Sequence, residues 1–297
     1  MSIIVGAGTR VLVQGITGNV GSFHTEAMLR YGTNIVAGVT PGKGGQEVLG
    51  VSVYDTVAEA VKKHNANASV IYVPPRFAAA AITEAIDAGL KTLVVITDLV
   101  PQKDAIEFVA KANRNGVTMV GPNCPGIINP SNRVHMGVMP AHVFRPGGTG
   151  MISRSGTLTY EIASLISRAG LGQSTCLGLG GDTIIGLDFI RVLEMMENDE
   201  ETEAVVLIGE IGGNLEEKAA EYIGKKKYPK PVVAYIAGRT APPEKRMGHA
   251  GAIISGTAGT AKSKIDAFLA NGVPVAEKPS DIPRLLLETQ PDKPGRH

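Results

Sequence analysis

Near its N-terminus the chain reads Arg10-Val11-Leu12-Val13-Gln14-Gly15-Ile16-Thr17-Gly18-Asn19-Val20-Gly21, an apolar run followed by a turn with a glycine at every third position. The run predicts a buried strand from Thr9 to Gln14, and the residues after the turn predict a helix from about Ser22 to Arg30. This order is typical of a Rossmann-type phosphate loop, because glycines let the backbone approach a pyrophosphate at the helix N-terminus. The spacing G-x-x-G-x-x-G differs from the usual G-x-G-x-x-G, so the turn taken alone is a weak signal.

The second predicted strand, residues 35–39, limits what this loop binds. An NAD-binding half usually ends that strand with Asp or Glu, which holds the ribose hydroxyls. Here the strand leads into Thr40-Pro41-Gly42-Lys43-Gly44-Gly45, and a lysine among glycines suits a phosphate. The pattern favours a phosphorylated adenosine such as NADP or coenzyme A, and the alternative is a surface turn with a solvated lysine.

Similar apolar runs recur along the chain and predict parallel strands covered on both faces. They are residues 69–73, 92–97, 117–120, 150–152, 174–178, 204–208 and 231–236. We therefore predict an α/β protein with two Rossmann-like or flavodoxin-like domains, whose sheets are mostly parallel and doubly wound. The predicted domains are residues 1–126 and 149–297, joined by a linker at 127–148 that is rich in Pro, Gly and Asn. We expect the linker histidines, His135 and His142, to lie at the surface.

The composition excludes several classes of protein. The 297 residues carry a net charge of +1 without a clustered excess of Lys and Arg, which argues against binding to nucleic acid. No apolar run reaches the roughly 18 residues of a membrane-spanning helix. Two cysteines, Cys124 and Cys176, and no evident signal peptide indicate a reducing compartment. We expect the cytoplasm, or a mitochondrial-type matrix if a transit peptide has been removed. No histidine spacing predicts a metal site.

A segment of the second predicted domain carries groups suited to anions. Ser153-Arg154-Ser155-Gly156-Thr157 opens a predicted helix with hydroxyls, a guanidinium and backbone N–H groups at its N-terminus. These groups make an anion site or, alternatively, a plain helix N-cap.

The segment Pro242–Ile254 presents His249 in a loop that Gly248 and Gly251 flank. Near neutral pH an imidazole has an unprotonated nitrogen that can act as a nucleophile. Glu210 lies between glycines at a predicted strand end, so its carboxylate can orient an imidazole by a hydrogen bond. Taken alone, a histidine in a glycine turn is more often structural, and such a carboxylate is equally an ion-pair or turn residue.

Six segments in this order, each at a predicted strand end or loop, resemble the alpha subunits of succinyl-CoA synthetases (succinate–CoA ligases, ADP- or GDP-forming). The resemblance runs from about Thr9 to Leu287. The segments are Gln14–Gly18, Gly38–Gly45, Gly121–Gly126, Ser153–Tyr160, Gly209–Gly213 and Arg246–Ile254.

This resemblance implies roles for individual residues. His249 would be a transient phosphohistidine, with Glu210 as its carboxylate partner and Tyr160 at the carboxylate-substrate end. The implied phosphate site consists of Ser153, Arg154, Ser155 and Gly156. The implied coenzyme A contacts are Thr17, Gly18, Asn19, Val20 and Lys43, with Ile96, Thr97 and Asp98 closing on the ligand and Cys124 near its thiol end.

The resemblance also implies a heteromeric enzyme of the citric acid cycle. A beta subunit with an ATP-grasp fold would bind ATP or GTP with Mg²⁺, in an alpha–beta heterodimer or a dimer of heterodimers. The present chain would pass a phosphoryl group to succinate, and the succinyl phosphate would react with coenzyme A to give succinyl-CoA. The chain has no Walker A motif and no evident ATP-grasp region, so we do not expect it to make acyl-CoA alone.

Two departures from the family pattern concern contact loops. The chain has Asp98-Leu99 where the family usually has Glu-Gly in the coenzyme A loop, and Thr183 where it usually has proline in a phosphate-site loop. The nearest alternative is the small subunit of a related acid–CoA ligase such as malate–CoA ligase. An NADP-dependent oxidoreductase leaves His249 and Glu210 without roles, and a coenzyme A-binding regulatory protein predicts no phosphorylation.

Overall fold

The computed structural model describes residues 2–242, 244–254 and 259–289. The chain divides into two compact units. The N-terminal unit comprises Ile4–Ala141 and Leu177–Leu187, and the C-terminal unit is built mainly from His142–Cys176 and the residues from Asp188 onward. Two mostly parallel sheets with interleaved helices confirm the predicted α/β class.

The N-terminal unit alternates strands and helices through most of its length. Its strands are β1 Val11–Gln14, β2 Ile35–Val39, β3 Glu47–Val48, β4 Val51–Tyr54, β5 Ala68–Ile71, β6 Thr92–Val95, β7 Thr118–Val120, β8 Gly126–Asn129 and β9 Val134–Gly137. Its helices are α1 Asn19–Tyr31, α2 Val57–His64, α3 Pro75–Asp87 and α4 Gln102–Arg114.

The main sheet of this unit has the order β3-β4-β2-β1-β5-β6-β7. Its pairs are parallel except β3 with β4, so the parallel part follows the Rossmann order 3-2-1-4-5-6. Strands β1 and β5 are buried along their whole length, as expected for strands with helices on both faces. Successive strands are added on one side of β1 up to β4 and on its other side from β5 onward, so the strand order switches between β1 and β5. Ligands bind at such switch points. The glycine turn after β1 lies there.

Strands β8 and β9 form an antiparallel hairpin in the segment that we predicted as a linker, residues 127–148. The glycines of this segment allow close pairing, because a Cβ at Gly126 would lie 2.1 Å from the Met136 carbonyl oxygen. The hairpin falls within the residues Ile4–Ala141 of the N-terminal unit. The surface position expected for His135 on β9 is wrong, since the residue is 1% exposed, whereas His142 is exposed as expected.

The C-terminal unit is a second α/β structure. Its strands are β10 Pro146–Ser153, β11 Gln173–Gly178, β12 Ala204–Glu210, β13 Val232–Ala237 and β14 Val275–Ala276. Its helices are α5 Gly156–Arg168, α6 Phe189–Glu197, α7 Leu215–Lys226, α8 Ala261–Ala270 and α9 Ile282–Thr289.

The strands of this unit are arranged in the order β14-β13-β12-β10-β11. Numbered within the unit this is the flavodoxin order 2-1-3-4-5, whose switch point lies between the first and third strands. Those strands are β10 and β12, which pair in parallel. Their carboxyl ends carry Ser153 and Glu210, so the topology brings together two of the segments that the sequence marks as functional.

Candidate functional site

The structure brings His249 and Glu210 into direct contact. Glu210 is the last residue of β12, and His249 lies in the loop between β13 and α8. The imidazole Nδ1 is 2.8 Å from Glu210 Oε2 and 3.0 Å from Oε1. The Glu210 side chain is 9% exposed and that of His249 is 28% exposed. A nearly buried carboxylate thus contacts an imidazole that remains partly open to solvent.

The histidine loop packs closely on the segment that follows β12. Gly212 has a φ of 90°, and a Cβ at this position would lie 1.9 Å from the carbonyl oxygen of Gly251. Only glycine permits this approach. Inside the loop the Ala252 N–H donates to the His249 carbonyl at 3.1 Å, and the side chains of Ala252 and Ile254 are buried. Close backbone packing and two apolar anchors therefore place His249.

The contact with Glu210 determines which nitrogen of His249 can react. An ionised carboxylate only accepts hydrogen bonds, so Nδ1 carries the proton and Nε2 carries the lone pair of the neutral ring. Nε2 is then the nitrogen that is able to act as a nucleophile. When Nε2 forms a covalent bond the ring gains positive charge, which the adjacent carboxylate stabilises.

The Arg154 side chain is almost completely buried. Its side chain is 3% exposed, with Nη2 3.3 Å from Glu210 Oε1 and Nη1 3.2 Å from Glu216 Oε1. Nη1 also donates to the Gly212 carbonyl at 3.2 Å. These contacts direct the guanidinium at protein groups, so the structure places Arg154 as a buried partner of Glu210.

The other predicted phosphate-site residues lie at the start of α5. Ser153 is buried, and its hydroxyl donates to the Ser155 carbonyl at 2.8 Å while it accepts the Ser155 N–H at 3.0 Å. Ser155 is the N-cap, and its Oγ accepts a hydrogen bond from the first turn at 3.3 Å. Ser155 and Gly156 are partly exposed at the positively polarised helix end. Tyr160 is partly exposed one turn further along, where its hydroxyl donates to Thr157 at 3.3 Å.

The predicted coenzyme A residues lie in the N-terminal unit, along the carboxyl edge of its sheet. Turn residues Gly18, Asn19 and Val20 are exposed at the start of α1, whose N-cap has no side-chain hydrogen bond. Thr17 donates its hydroxyl to Thr40 Oγ1 at 3.1 Å and so links the loop after β1 to the loop after β2. The turn leaves backbone N–H groups at the helix end, where they can bind an anion.

Lys43 is exposed in the loop after β2, beside Gly44, whose N–H donates to Asp55 at 2.9 Å. Ile96, Thr97 and Asp98 follow β6 and differ in exposure: Ile96 is partly exposed, Thr97 is buried and Asp98 is exposed. The Thr97 hydroxyl donates to the Val73 carbonyl at 2.7 Å, so this side chain supports the loop from inside.

Cys124 follows β7 and is 5% exposed. Its Sγ donates to the Val95 carbonyl at 3.2 Å, and burial raises the thiol pKa to about 12. The group is therefore a neutral thiol at physiological pH. A nucleophilic cysteine requires the thiolate, which burial disfavours at Cys124.

Sequence reasoning missed Glu216 and Lys264, which complete the charged cluster behind Glu210. Both side chains are 0% exposed, and their charged groups lie 2.5 Å apart. Glu216 lies in the first turn of α7, where acidic residues are common, and Lys264 lies in a helix that carries another lysine at position 262. No sequence signal distinguishes either residue from a solvated surface charge.

Two kinds of feature are absent from residues 2–242, 244–254 and 259–289. Among these residues there is no group of three or more His, Cys, Asp or Glu placed to hold a metal ion. None of the helices formed by them has both the length and the apolar character needed to cross a membrane.

Two family models match separate parts of the chain. A model described as a CoA binding domain matches residues 7–99, and a model described as CoA-ligase matches residues 152–273. The first range includes the glycine turn and Lys43, and the second includes Arg154, Glu210 and His249.

Curated relatives match nearly the whole chain. The sequence is 58% identical over 288 residues to succinate–CoA ligase (ADP-forming) subunit alpha 2 of Archaeoglobus fulgidus, which covers 97% of this chain and 99% of that protein. It is 55% identical over 280 residues to the corresponding alpha subunit of Methanothermobacter thermautotrophicus, which covers 94% of both chains.

A solved structure shares the fold at lower identity. ATP citrate lyase of Methanothrix soehngenii, in complex with citrate and coenzyme A, superposes with a TM-score of 0.87 at 23% identity. The match covers 97% of this chain and 50% of that one, so the chain spans about half the length of the solved protein.

Proposed function

The chain belongs to the family of succinate–CoA ligase alpha subunits, and we propose that His249 carries a phosphoryl group between a nucleotide and succinate. Membership makes the chain a CoA ligase subunit. The observation that carries the proposal is the contact of 2.8 Å between His249 Nδ1 and Glu210, which leaves the lone pair on Nε2.

The proposed reaction has three displacements. His249 Nε2 attacks the terminal phosphorus of the nucleotide, the P–O bond breaks and the nucleoside diphosphate leaves. A succinate carboxylate oxygen then attacks this phosphorus, the N–P bond breaks and succinyl phosphate forms. Finally the sulfur of coenzyme A attacks the acyl carbon, inorganic phosphate leaves, and the thiol proton goes to solvent. Covalent catalysis of this kind divides one difficult step into easier ones.

The chain's own residues serve these steps in defined ways. Glu210 keeps the proton on Nδ1 and stabilises the charge of the phosphorylated ring. The partly exposed start of α5, at Ser155 and Gly156, stabilises the phosphoryl oxygens by its backbone N–H groups and helix dipole. Tyr160 lies on the same helix and is assigned to the carboxylate substrate.

Coenzyme A binds to the N-terminal unit in this proposal. The match of residues 7–99 to a CoA binding domain supports this assignment, as do the exposed turn at Gly18–Val20 and the exposed Lys43. The turn receives the pyrophosphate, and Lys43 pairs with a phosphate of the adenosine part. The loop of Ile96, Thr97 and Asp98 and the region of Cys124 receive the rest of the molecule.

The nucleotide and Mg²⁺ bind to a partner. Relatives are named alpha subunits and ADP-forming, which supports a beta subunit and favours ATP over GTP. We assign the beta subunit an ATP-grasp fold and the assembly an alpha–beta heterodimer or a dimer of heterodimers. The described cysteines are free and buried, which supports a reducing compartment such as the cytoplasm or a mitochondrial-type matrix.

A labelling experiment tests the proposal. The purified chain is mixed with its beta partner, Mg²⁺ and γ-labelled ATP or GTP, and acid-labile, base-stable label on this chain is measured. His249→Ala is compared with His142→Ala, which removes an exposed histidine and serves as the matched control. We expect label in the wild type and the control, none in His249→Ala, and discharge by succinate together with coenzyme A.

Other outcomes identify the alternatives. Discharge by malate that is much faster than discharge by succinate would assign the chain to a malate–CoA ligase. Absence of label beside an active beta partner would exclude the phosphohistidine mechanism. Coenzyme A affinity without label would indicate a regulatory protein, and hydride transfer from NADPH would indicate an oxidoreductase, which family membership argues against.

A further inference from the structure

A continuous chain of charged groups runs from α8 to the contact between Glu210 and His249. Lys264 Nζ lies 2.5 Å from Glu216 Oε2 and 2.9 Å from Glu217 Oε2. Glu216 Oε1 lies 3.2 Å from Arg154 Nη1, and Arg154 Nη2 lies 3.3 Å from Glu210 Oε1. Three further side chains thus connect Glu210 to a helix that does not contain the histidine.

These charged groups contact Glu210 at its backbone and at its side chain. Glu216 Oε1, besides its contact with Arg154, accepts the backbone N–H of Glu210 at 3.1 Å. Arg154 holds the Glu210 carboxylate from the side-chain end. Because both groups also contact each other, the main chain and the side chain of Glu210 are held in one hydrogen-bonded assembly.

The burial of these charges argues for a role in geometry. The side chains of Glu216 and Lys264 are 0% exposed and that of Arg154 is 3% exposed. The two buried cations, Arg154 and Lys264, face the carboxylates of Glu210 and Glu216, and the partly exposed carboxylate of Glu217 adds a third negative charge beside Lys264. Apolar replacements of buried ion pairs are often neutral or more stable by about 1–4 kcal/mol. Stability alone therefore does not account for these charges at this place.

We propose that Lys264, Glu216 and Arg154 are positioning residues that hold Glu210 against His249 Nδ1 and so maintain the Nε2 lone pair. This inference rests on the proposed function, since it names what positions the reacting nitrogen. It also changes the part played by Arg154, which acts through Glu210 and does not bind the phosphoryl group. The functional unit of the site therefore extends to α7 and α8.

The test measures the tautomer of His249 directly. The full chain is labelled with ¹⁵N-histidine, and the Nδ1 and Nε2 chemical shifts of His249 are recorded at one neutral pH without nucleotide. Lys264→Met is compared with Lys262→Met, because both lysines lie on α8 and both lose an ion pair, but the pair of Lys262 with Asp266 lies at the surface. We expect the Nδ1-protonated form in the wild type and Lys262→Met, and a mixture of both tautomers in Lys264→Met.

Two further measurements complete the test. Arg154→Lys keeps the number of buried charges, but a single ammonium cannot span Glu210 and Glu216 as the guanidinium fork does. It should also give mixed tautomers, and it carries the test if Lys264→Met does not fold. With the beta partner, phosphorylation of His249 by γ-labelled nucleotide should slow about 10- to 100-fold in both variants, because this step uses the Nε2 lone pair and the loss of a group that orients a histidine typically costs about that factor.

The proposal is overturned if the folded variants at Lys264 and Arg154 retain the Nδ1-protonated tautomer and the wild-type rate of phosphorylation. It is equally overturned if Arg154→Lys alone folds and behaves as the wild type. The tautomer is measured on unphosphorylated protein, so this result is independent of the labelling result. Absence of label in the wild type contradicts the proposed function. Failure of the positioning proposal is instead seen as a wild-type tautomer of His249 in the Lys264 and Arg154 variants.

Discussion

Glu210 contacts His249 Nδ1 through both of its carboxylate oxygens. An ionised carboxylate can only accept a hydrogen bond from Nδ1–H, whereas an amide at this place can also donate a hydrogen bond to Nδ1 and so favour the opposite tautomer. We therefore expect Glu210→Gln to lower the rate of His249 phosphorylation by at least about 100-fold, in line with the usual range for a positioned acid–base partner. The rate is measured with γ-labelled nucleotide in the presence of the beta partner.

The matched control for this change is Glu221→Gln. Glu221 lies on α7 and pairs at the surface with Lys225, four residues later. The same loss of charge at this exposed site should leave the labelling rate unchanged. Similar rates in the two folded variants would mean that Glu210 does not orient the histidine.

At the residue scale, the sequence predicts side chains better than it predicts their partners. His249 and Glu210 stand out because glycines surround both, and the structure brings the two together. Arg154 stands beside serines at a helix start and therefore resembles an anion ligand, yet it is buried against Glu210 and Glu216. Burial depends on the whole tertiary fold, so no local pattern shows which arginine is enclosed by carboxylates.

At the element scale, the start of α1 depends on a glycine that touches the turn before it. A Cβ added to Gly21 would lie 2.1 Å from the carbonyl oxygen of Gly15. We expect Gly21→Ala to push α1 away from the turn, to lower the free energy of unfolding by about 1–3 kcal/mol and to weaken coenzyme A binding. Denaturant unfolding and titration calorimetry with coenzyme A measure the two effects.

Gly8→Ala is the appropriate comparison for this helix start. A Cβ at Gly8 would meet nothing within 4 Å, so the same chemical change lacks the steric conflict. Its unfolding free energy and coenzyme A affinity should match those of the wild type. If the two alanine variants had the same unfolding free energy and the same coenzyme A affinity, the turn after β1 would tolerate a displaced helix.

The elements themselves were predictable where they are long and buried. The predicted strands at 69–73, 92–97 and 204–208 correspond to β5, β6 and β12, because central parallel strands are continuous apolar runs. The hairpin β8–β9 was not predicted, since its glycines and its prolines look like loop residues. In the structure the glycines allow the backbones of β8 and β9 to approach closely. This role becomes visible only when the two strands are seen to pair.

At the scale of the whole molecule, one buried group is expected to make stability depend on acid. His135 is 1% exposed, and neither ring nitrogen has a hydrogen-bond partner among the described residues. Burial, with a smaller contribution from nearby His24, lowers its pKa from 6.5 to about 3. The unfolded chain therefore binds a proton below about pH 6.5 that the folded chain does not bind, and stability falls as the pH falls.

The size of this acid dependence follows from the two pKa values of His135, about 6.5 unfolded and about 3 folded. Between about pH 6.5 and pH 5, His135 should cost roughly 2 kcal/mol of unfolding free energy. His135→Phe should lose that much less stability over this interval than the wild type, whereas His142→Phe, at an exposed position, should follow the wild type. Urea unfolding at both pH values measures the difference. Parallel losses in all three proteins would contradict a neutral, buried His135.

The two candidate sites belong to different units, and this division has a measurable consequence. Lys43 and the glycine turn lie in the N-terminal unit, whereas His249 and Glu210 lie in the C-terminal unit. Loss of a charged hydrogen bond to phosphate costs about 1.5–3 kcal/mol, or roughly 10- to 100-fold in affinity. Lys43→Met should therefore weaken coenzyme A binding by that factor and leave labelling of His249 unchanged.

His249→Ala should show the opposite pattern, with no label and an unchanged coenzyme A affinity. Lys62→Met, which removes an exposed lysine from α2, is the control and should change neither property. Calorimetry with coenzyme A and labelling with γ-labelled nucleotide give both readouts for each variant. If Lys43→Met also abolished the label, binding of coenzyme A and phosphorylation would not be separable functions of the two units. Unchanged affinity in Lys43→Met would remove this lysine from the coenzyme A site.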